Sequence, residues 1–174
     1  IMDSGVLGTM RVSRHDGGGG GMADSEKVYL EWRMRKETSG TGSLADFGAH
    51  MLDLSDWMLR EQCGEMVTFT GTTVTSIPER YVIDPTSAAG EKESDRKAPV
   101  TNDDTATFCA ITDKGVMFSF MTSRINFSGA EFEIVGENGS ISNSDKWPAG
   151  TIGMMLKNAP VPGQTEIKFG MTPV

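Results

Sequence analysis

Residues 43–59 read SLADFGAHMLDLSDWML and carry the clearest secondary-structure signal in the chain. The segment has no proline and one interior glycine, Gly48, and Ser43 stands where a helix N-cap is expected. One face of the predicted helix carries apolar side chains, namely Leu44, Phe47, Met51, Leu54 and Met58. We therefore expect a helix over residues 44–59 that packs through this face.

A second face of the same helix is formed by Asp46, His50, Asp53 and Trp57. Asp46 and His50 are four residues apart, which places a carboxylate and an imidazole on adjacent turns. Such a pair suits general acid–base chemistry on a hydroxyl or carbonyl group, because a carboxylate can orient a histidine and stabilise its charged form. On spacing alone, an exposed ion pair without a catalytic role is the alternative. Gly40 and Gly42 would let backbone or a ligand approach the start of the helix.

The rest of the chain predicts a mainly antiparallel sheet. Candidate strands cover residues 8–14, 28–33, 66–75, 105–112, 116–123, 132–135, 140–142 and 165–169. Asp113-Lys114-Gly115 and Asn138-Gly139 are typical of hairpin turns. Prolines and charged residues between 77 and 102 indicate a solvated insertion loop. This order predicts the α+β class, with the helix on one face of the sheet and the other face left to be covered.

Composition and charge exclude several classes of protein. With 174 residues, 37% of them hydrophobic, the chain can bury the core of one domain. Its 24 acidic and 16 basic residues give a net charge of −8, which has the wrong sign for binding nucleic acid. No apolar run is long enough to span a membrane, and no signal peptide is visible. Cys63 and Cys109 lack metal-ligand spacing; we interpret them as reduced thiols and expect a cytoplasmic protein.

Other polar or flexible segments are weaker candidates for a site. The glycine run 17–21 lacks the strand–turn–helix setting of a phosphate loop, so we interpret it as a flexible surface loop. Asp103 and Asp104 could suggest a metal site, but adjacent residues point to opposite faces of a strand, and the start of a strand is the preferred interpretation. His15 has no partner in the sequence and is expected to be solvated. The 12 methionines are interpreted as core residues.

Motifs along most of the chain occur in a characteristic order. They are residues 4–8 (SGVLG), 39–57 (SGTGSLADFGAHMLDLSDW), 100–106 (VTNDDTA), 114–115 (KG), 122–124 (TSR) and 132–140 (FEIVGENGS). In this order they resemble motifs of the glucose-fructose oxidoreductase, inositol dehydrogenase and MocA family, whose helical segment reads GGGxLxDxGxHxxDxxxW. The resemblance covers the chain from Ser4 to about Ile141, and the helical motif is its most specific part.

The resemblance implies that residues 1–174 are a single substrate-binding and oligomerisation domain of an NAD(P)-dependent oxidoreductase. It implies an open-faced, mainly antiparallel sheet whose bare face pairs with another subunit in a homo-oligomer. Family members also have an N-terminal Rossmann domain that binds NAD or NADP. Its glycine motif and Glu-Lys-Pro segment do not occur in this sequence. The resemblance also implies a final helix and strand that this sequence lacks. We therefore expect a fragment without the Rossmann domain that is also shortened at its C-terminal end.

The resemblance also assigns site residues. His50 matches the catalytic histidine, which removes the hydroxyl proton as hydride leaves for the nicotinamide, and Asp46 matches the acid that orients substrate and supports that histidine. Arg124 and Trp32 are the candidate substrate-binding residues, and no cofactor-binding or metal-binding residue is assigned. The expected substrate is a sugar, a polyol or a related cyclic alcohol. A non-catalytic sugar-sensing regulator and a structural dimerisation module are the alternatives; the presence of both Asp46 and His50 favours the enzyme.

Overall fold

The structure is a computed structural model that describes residues 2–83, 86, 92–126, 130–143, 151–157 and 165–168. Two α-helices are described, α1 (Lys36–Ser39) and α2 (Ser43–Cys63), with 3₁₀ helices at Met2–Ser4, Gly20–Met22 and Trp32–Met34. The strands are β1 (Met10–Gly18), β2 (Met66–Val74), β3 (Glu79–Ile83), β4 (Lys92–Pro99), β5 (Thr105–Thr112), β6 (Met117–Ser123), β7 (Glu131–Gly136), β8 (Gly139–Ser142), β9 (Thr151–Leu156) and β10 (Thr165–Lys168).

Eight of these strands form one sheet in the order β10-β9-β8-β7-β1-β6-β5-β2. Neighbouring strands are antiparallel except for β1 and β6, which are parallel. The first strand of the chain therefore lies in the interior of the sheet. A mainly antiparallel sheet with α2 on one face confirms the predicted α+β class. Among the residues described, no helix is both long and apolar enough to cross a membrane.

The helix α2 packs on the sheet through small residues. Its buried residues are Ser43, Gly48, Ser55, Leu59 and Cys63. They face a core formed mainly by Ala110, Val116, Phe118, Phe120, Ile134 and Ile141. A Cβ atom on Gly48 would lie 3.4 Å from the Phe108 ring, so glycine brings the helix close to the sheet here. The predicted packing face is wrong for Leu54, which is 50% exposed, because the contact is centred on Gly48 and Ser55.

The N-terminus of α2 is capped by a residue distant in sequence. Ser43 is already helical, and its hydroxyl donates to Oγ1 of Thr122 at 2.9 Å. The capping acceptor is the carboxylate of Asp103, which accepts the N–H groups of Gly42 and Leu44, each at 2.7 Å. The prediction that Ser43 is the N-cap is therefore wrong, because a buried carboxylate from the segment before β5 takes that role.

The region 77–102 contains the two-stranded ribbon β3–β4, so the prediction of a solvated loop is wrong for these strands. The Arg80 side chain anchors the ribbon, because its buried guanidinium donates to the carbonyl oxygens of Val28 and Met22. A second small core lies here, formed by Leu30, Met34 and Val100. Three of the charged residues that predicted a loop, Asp95, Arg96 and Lys97, are exposed on the ribbon.

The glycine run differs from its prediction as well. Gly17 and Gly18 belong to β1 and pair with Thr122 and Ser123 of β6. A Cβ atom on Gly18 would collide with the carbonyl oxygen of Ser123. The flexible-loop interpretation is therefore wrong for these two residues, because Gly18 permits a close approach of β1 to β6 and Gly17 faces the Met51 side chain of α2.

His15 is buried rather than solvated, with 8% of its surface exposed. Hydrogen bonds join its Nε2 to the hydroxyl oxygens of Ser13 at 2.8 Å and Ser55 at 3.1 Å. The ring stacks on Phe120 with 5.2 Å between ring centres. Burial lowers the pKa of His15 from 6.5 to about 4. The expectation that His15 has no partner is therefore wrong: it overlooked Ser13, two residues earlier on β1, and Ser55 comes from α2, 40 residues away.

Other strand predictions agree in position with the structure, with two exceptions. Residues 28–33 contain a single parallel bridge from Leu30 to Val82, followed by the 3₁₀ helix Trp32–Met34, and not a strand. Strand β9 was not predicted. The last predicted strand corresponds to β10, and its final residue, Phe169, lies outside the described residues.

Candidate functional site

The candidate site lies on the N-terminal half of α2, beside the ends of β1 and β6. The helix contacts β1, β5 and β6. The second face predicted from the sequence is exposed at all four of its positions, Asp46, His50, Asp53 and Trp57. The side chains that could take part in acid–base chemistry therefore lie on a surface separate from the packed face of α2.

Arg124, which directly follows β6, joins two parts of this site. Its side chain is 5% exposed, and its Nη2 lies 3.3 Å from Oδ2 of Asp46 in an ion pair. Its Nη1 donates to the carbonyl oxygen of Arg33 at 2.8 Å. Two of the predicted site residues, Asp46 and Arg124, are therefore in direct contact. Each terminal nitrogen of the guanidinium has a protein partner, so Arg124 holds the Asp46 carboxylate in place.

His50 lies one turn further along α2, and its side chain is exposed. Asp46 forms its ion pair with Arg124, and the described residues contain no ion pair between Asp46 and His50. The alternative of a simple Asp46–His50 surface pair therefore does not describe this site. An exposed imidazole next to a carboxylate that is fixed by a buried arginine can meet a ligand placed over the helix.

Trp32 lies at the edge of the site on the 3₁₀ helix Trp32–Met34, and 57% of it is exposed. The Arg33 guanidinium carbon is 5.2 Å from the centre of the indole ring. The carbonyl oxygen of Arg33 accepts hydrogen bonds from both Arg124 and Asn102. These bonds place the short helix that carries Trp32 against the residue that holds Asp46.

The N-terminus of α2 is not available to the diphosphate of a nucleotide. Backbone N–H groups at a helix start commonly bind anions, and the glycines at 40 and 42 made this a possible ligand position. In the structure the carboxylate of Asp103 occupies the N–H groups of Gly42 and Leu44. A Cβ atom on Gly42 would collide with the Asp103 backbone, so this glycine permits close packing. This part of the chain does not fit the phosphates of NAD or NADP.

Asp103 and Asp104 lie directly before β5, as the strand-start interpretation predicts. Both are buried, and an oxygen of Asp104 accepts the N–H of Ile77 at 2.8 Å. Within the described ranges, no cluster of three or more histidine, cysteine or acidic side chains could hold a metal ion. Sequence reasoning missed that Asp103 caps α2, because its partners lie about 60 residues earlier and no local spacing marks the contact.

No described part of the chain covers the face of the sheet opposite α2. On β6, Phe118 and Phe120 are buried toward the helix, whereas Met117 and Met121 are 46% and 45% exposed. On β5, Ile111 is 40% exposed. Buried and exposed apolar side chains thus alternate along β6, so both faces of the sheet carry apolar side chains.

Comparison with known proteins gives both a family and related structures. The sequence profile described as GFO/IDH/MocA C-terminal domain matches residues 1–142. A search among curated proteins found no match. Levoglucosan dehydrogenase in its apo form is similar with a TM-score of 0.80 and 25% identity, covering 97% of this chain and 43% of that chain. An oxidoreductase domain protein from Kribbella flavida is similar with a TM-score of 0.77 and 26% identity, covering 95% of this chain and 42% of that chain.

A third structure shares the fold alone. It is the super-repressor mutant of Gal80p from Saccharomyces cerevisiae, with a TM-score of 0.72 and 14% identity over 99% of this chain and 42% of that chain. The present chain thus spans less than half the length of each of these three structures. Because the family profile matches residues 1–142 and the fold agrees with that of family oxidoreductases, the chain belongs to the GFO/IDH/MocA C-terminal domain family.

Proposed function

We propose that this chain is the substrate-binding domain of an NAD(P)-dependent oxidoreductase that acts on a sugar, a polyol or a related cyclic alcohol. The observation that carries the proposal is the exposed pair Asp46 and His50 on α2, with Asp46 held by the buried Arg124. Membership of the family supports it. A structure of levoglucosan dehydrogenase, 25% identical to this chain, is a complex with NADH and L-sorbose.

In this proposal His50 accepts the proton of the substrate hydroxyl. A general base must reach the proton that it removes, and the exposed imidazole on the outer face of α2 can do so. Asp46 accepts a hydrogen bond from a substrate hydroxyl and is kept in place by Arg124. The nicotinamide, when bound by the complete enzyme, supplies the acceptor for the hydride.

Trp32 forms one side of the proposed substrate site. Binding sites for organic ligands combine aromatic surface with a few polar groups that fix orientation. The exposed indole supplies such a surface, while the carboxylate and imidazole on α2 supply the polar groups. Arg124 contributes to substrate binding through Asp46, because it is only 4% exposed and holds the Asp46 carboxylate in an ion pair.

A direct test of the activity uses the complete protein. We expect reduction of NAD or NADP with at least one member of a panel of sugars and polyols, followed by absorbance of the reduced nicotinamide. Binding of a sugar by calorimetry without any turnover would instead support the sugar-sensing regulator. Absence of both sugar binding and turnover would support the third alternative, a structural dimerisation module.

We propose that a Rossmann domain of the complete protein holds the cofactor. The α2 face that carries His50 continues to Trp57, which is 81% exposed, and to the neighbouring Leu54, which is half exposed. Exposed apolar patches of this kind mark surfaces that another domain or protein covers. A domain placed over His50 to present the nicotinamide would also bury this patch.

The 174-residue chain alone is therefore expected not to bind NADH. The start of α2, where a diphosphate could bind, is occupied by Asp103. Calorimetric titration of NADH into this chain should show no binding heat, whereas the complete protein should bind. Tight binding of NADH by the isolated chain would contradict the division of roles between the two domains.

We also propose that the bare face of the sheet forms a homo-oligomer contact. Met117, Met121 and Ile111 expose apolar surface there, and a self-complementary contact between two copies would bury it. A cytoplasmic location is proposed as well. It is supported by two free cysteines, of which Cys63 is buried with its pKa raised to about 11 by that burial.

Met121→Glu in the complete protein is expected to split the oligomer into monomers, because it places an unpaired charge in an apolar contact. Light scattering coupled to gel filtration measures the change in mass. Ala49→Glu, at an exposed position of α2 outside the patch formed by Leu54 and Trp57, is the matched control and should leave the oligomer intact. An unchanged mass for Met121→Glu would contradict the proposed contact.

A further inference from the structure

A polar segment of three residues, Asn102-Asp103-Asp104, is buried beneath the candidate site just before β5. The three residues are 6%, 8% and 4% exposed. Buried carboxylates and amides are costly unless their polar atoms are bonded. Most of the bonds made by this segment run to the main chain of the elements that carry the site residues.

Asp103 binds three consecutive N–H groups at the start of α2. Its two carboxylate oxygens accept the N–H groups of Gly42 and Leu44, each at 2.7 Å, and its carbonyl oxygen accepts that of Ser43 at 3.0 Å. Hydrogen bonds to a charged acceptor are shorter and stronger than neutral ones, and a helix N-terminus favours a negative charge. Asp46 lies in the first turn of this helix, so these bonds determine where that turn begins.

Asn102 holds the opposite side of the site. Its Nδ2 donates to the carbonyl oxygen of Arg33 at 2.6 Å and to Oγ of Ser39 at 2.7 Å. The Arg33 carbonyl also accepts the bond from Arg124. Asn102 thus fixes the 3₁₀ helix that carries Trp32 relative to the arginine that holds Asp46.

Asp104 holds the backbone of Arg124. The carbonyl oxygen of Asp104 accepts the N–H of Arg124 at 2.9 Å, while its carboxylate accepts the N–H of Ile77. The three residues in a row therefore bind the start of α2, the Trp32–Met34 helix and the residue after β6. These are the elements that surround the proposed substrate position.

We infer that Asn102-Asp103-Asp104 positions the site, and that Asp103 is the residue that sets the placement of Asp46 and His50 through the N-terminus of α2. The inference rests on the proposed function for its catalytic readout. Asp103 itself is buried under the helix start and has its oxygens occupied, so it acts through α2 and not on the substrate.

The test compares Asp103→Ala and Asp103→Asn with Asp113→Ala in the complete protein. Asp113 is a matched control, because its carboxylate accepts the N–H of Glu65 at 2.9 Å just beyond the opposite end of α2. Small displacements of reacting groups can cost about 100-fold in rate. We expect Asp103→Ala to lower kcat by roughly 10-fold or more, with KM for the nicotinamide cofactor unchanged. Asp103→Asn should lie between wild type and alanine, because its amide oxygen can accept only part of the original bonds.

Asp113→Ala should keep kcat near wild type even where its loss of Tm equals that of Asp103→Ala. If Asp103→Ala and Asp113→Ala lost equal amounts of kcat at equal Tm, Asp103 would only stabilise the fold, and the inference would be overturned. Hydrogen exchange of the α2 amides supplies a readout independent of turnover. Faster exchange confined to residues 42–50 in Asp103→Ala supports the inference even if no dehydrogenase activity is found, whereas faster exchange along all of α2 overturns it.

Discussion

His50→Ala is expected to lower kcat of the complete enzyme by about 10²–10⁴-fold, the usual contribution of a positioned general base. Oxidation of an alcohol requires removal of the hydroxyl proton, and His50 is the exposed histidine of the site. The side chain projects from the outer face of α2, away from the packed residues. The variant should therefore keep the melting temperature of the wild type. Steady-state kinetics and thermal unfolding together measure the two effects.

Two variants on the same helix control this experiment. Asp46→Asn is expected to lower kcat less than His50→Ala, because Asp46 orients substrate and is held by Arg124. Asp53→Asn, at an exposed position next along the same face, should leave kcat near wild type. Near-normal turnover in His50→Ala, or unfolding of that variant, would contradict a catalytic role for His50. It would favour the alternative of a non-catalytic sugar-sensing protein.

The free energy of unfolding is expected to fall as the pH is lowered from about 6.5 to about 4, because of His15. Burial lowers the pKa of this imidazole in the folded protein from 6.5 to about 4, so the unfolded chain takes up the proton first. The contribution is fully present above pH 6.5 and is lost as the pH falls to about 4. At 1.36 kcal/mol per pH unit, the full loss is about 3 kcal/mol.

Urea unfolding of wild type and His15→Gln across this pH range tests the assignment. The glutamine amide can still bond to Ser13 and Ser55 but does not titrate, so its stability should depend less on pH by about 3 kcal/mol. His50→Ala is the matched control, because His50 is the other histidine of the chain and is exposed. An identical pH dependence in wild type and His15→Gln would contradict the burial of His15 as its cause.

Much of the fold was predictable, because its local signals agree with the final structure. The hairpin around Asp113-Lys114-Gly115 joins β5 and β6, and residues 105–112 are the bounds of β5 as predicted. The helix and its exposed face were also visible from periodicity. The ribbon β3–β4 was not, because its sequence is highly charged and the buried Arg80 that anchors it bonds to the carbonyl oxygen of Val28, 52 residues earlier.

From spacing in the sequence, the site was predictable only where its residues share one helix. Arg124 and Trp32 were named as candidates, but their contacts were not predicted. Asp46 and His50 follow from their spacing, whereas the partner of Asp46, Arg124, comes from 78 residues later. The periodicity of apolar residues also wrongly placed Leu54 on the packing face. The helix contacts the sheet through the small residues Gly48 and Ser55, which an apolar pattern does not mark. The burial of His15 was missed for the same reason as the cap of α2, since both depend on residues far apart in the chain.

The interior position of β1 has a consequence for the order of folding. Among the described strands of this sheet, β1 is synthesised first, yet its neighbours β6 and β7 come from the second half of the given sequence. Pairings between distant segments have a high entropic cost before they gain contacts, and they slow folding. During synthesis on a ribosome, both edges of β1 therefore remain unpaired until β6 and β7 have emerged. We expect the pairing of β1 to be a late folding step that joins β2-β5-β6 to β7-β8-β9-β10. Before that step the unpaired edges of β1 are exposed to aggregation, and chaperones bind such exposed segments.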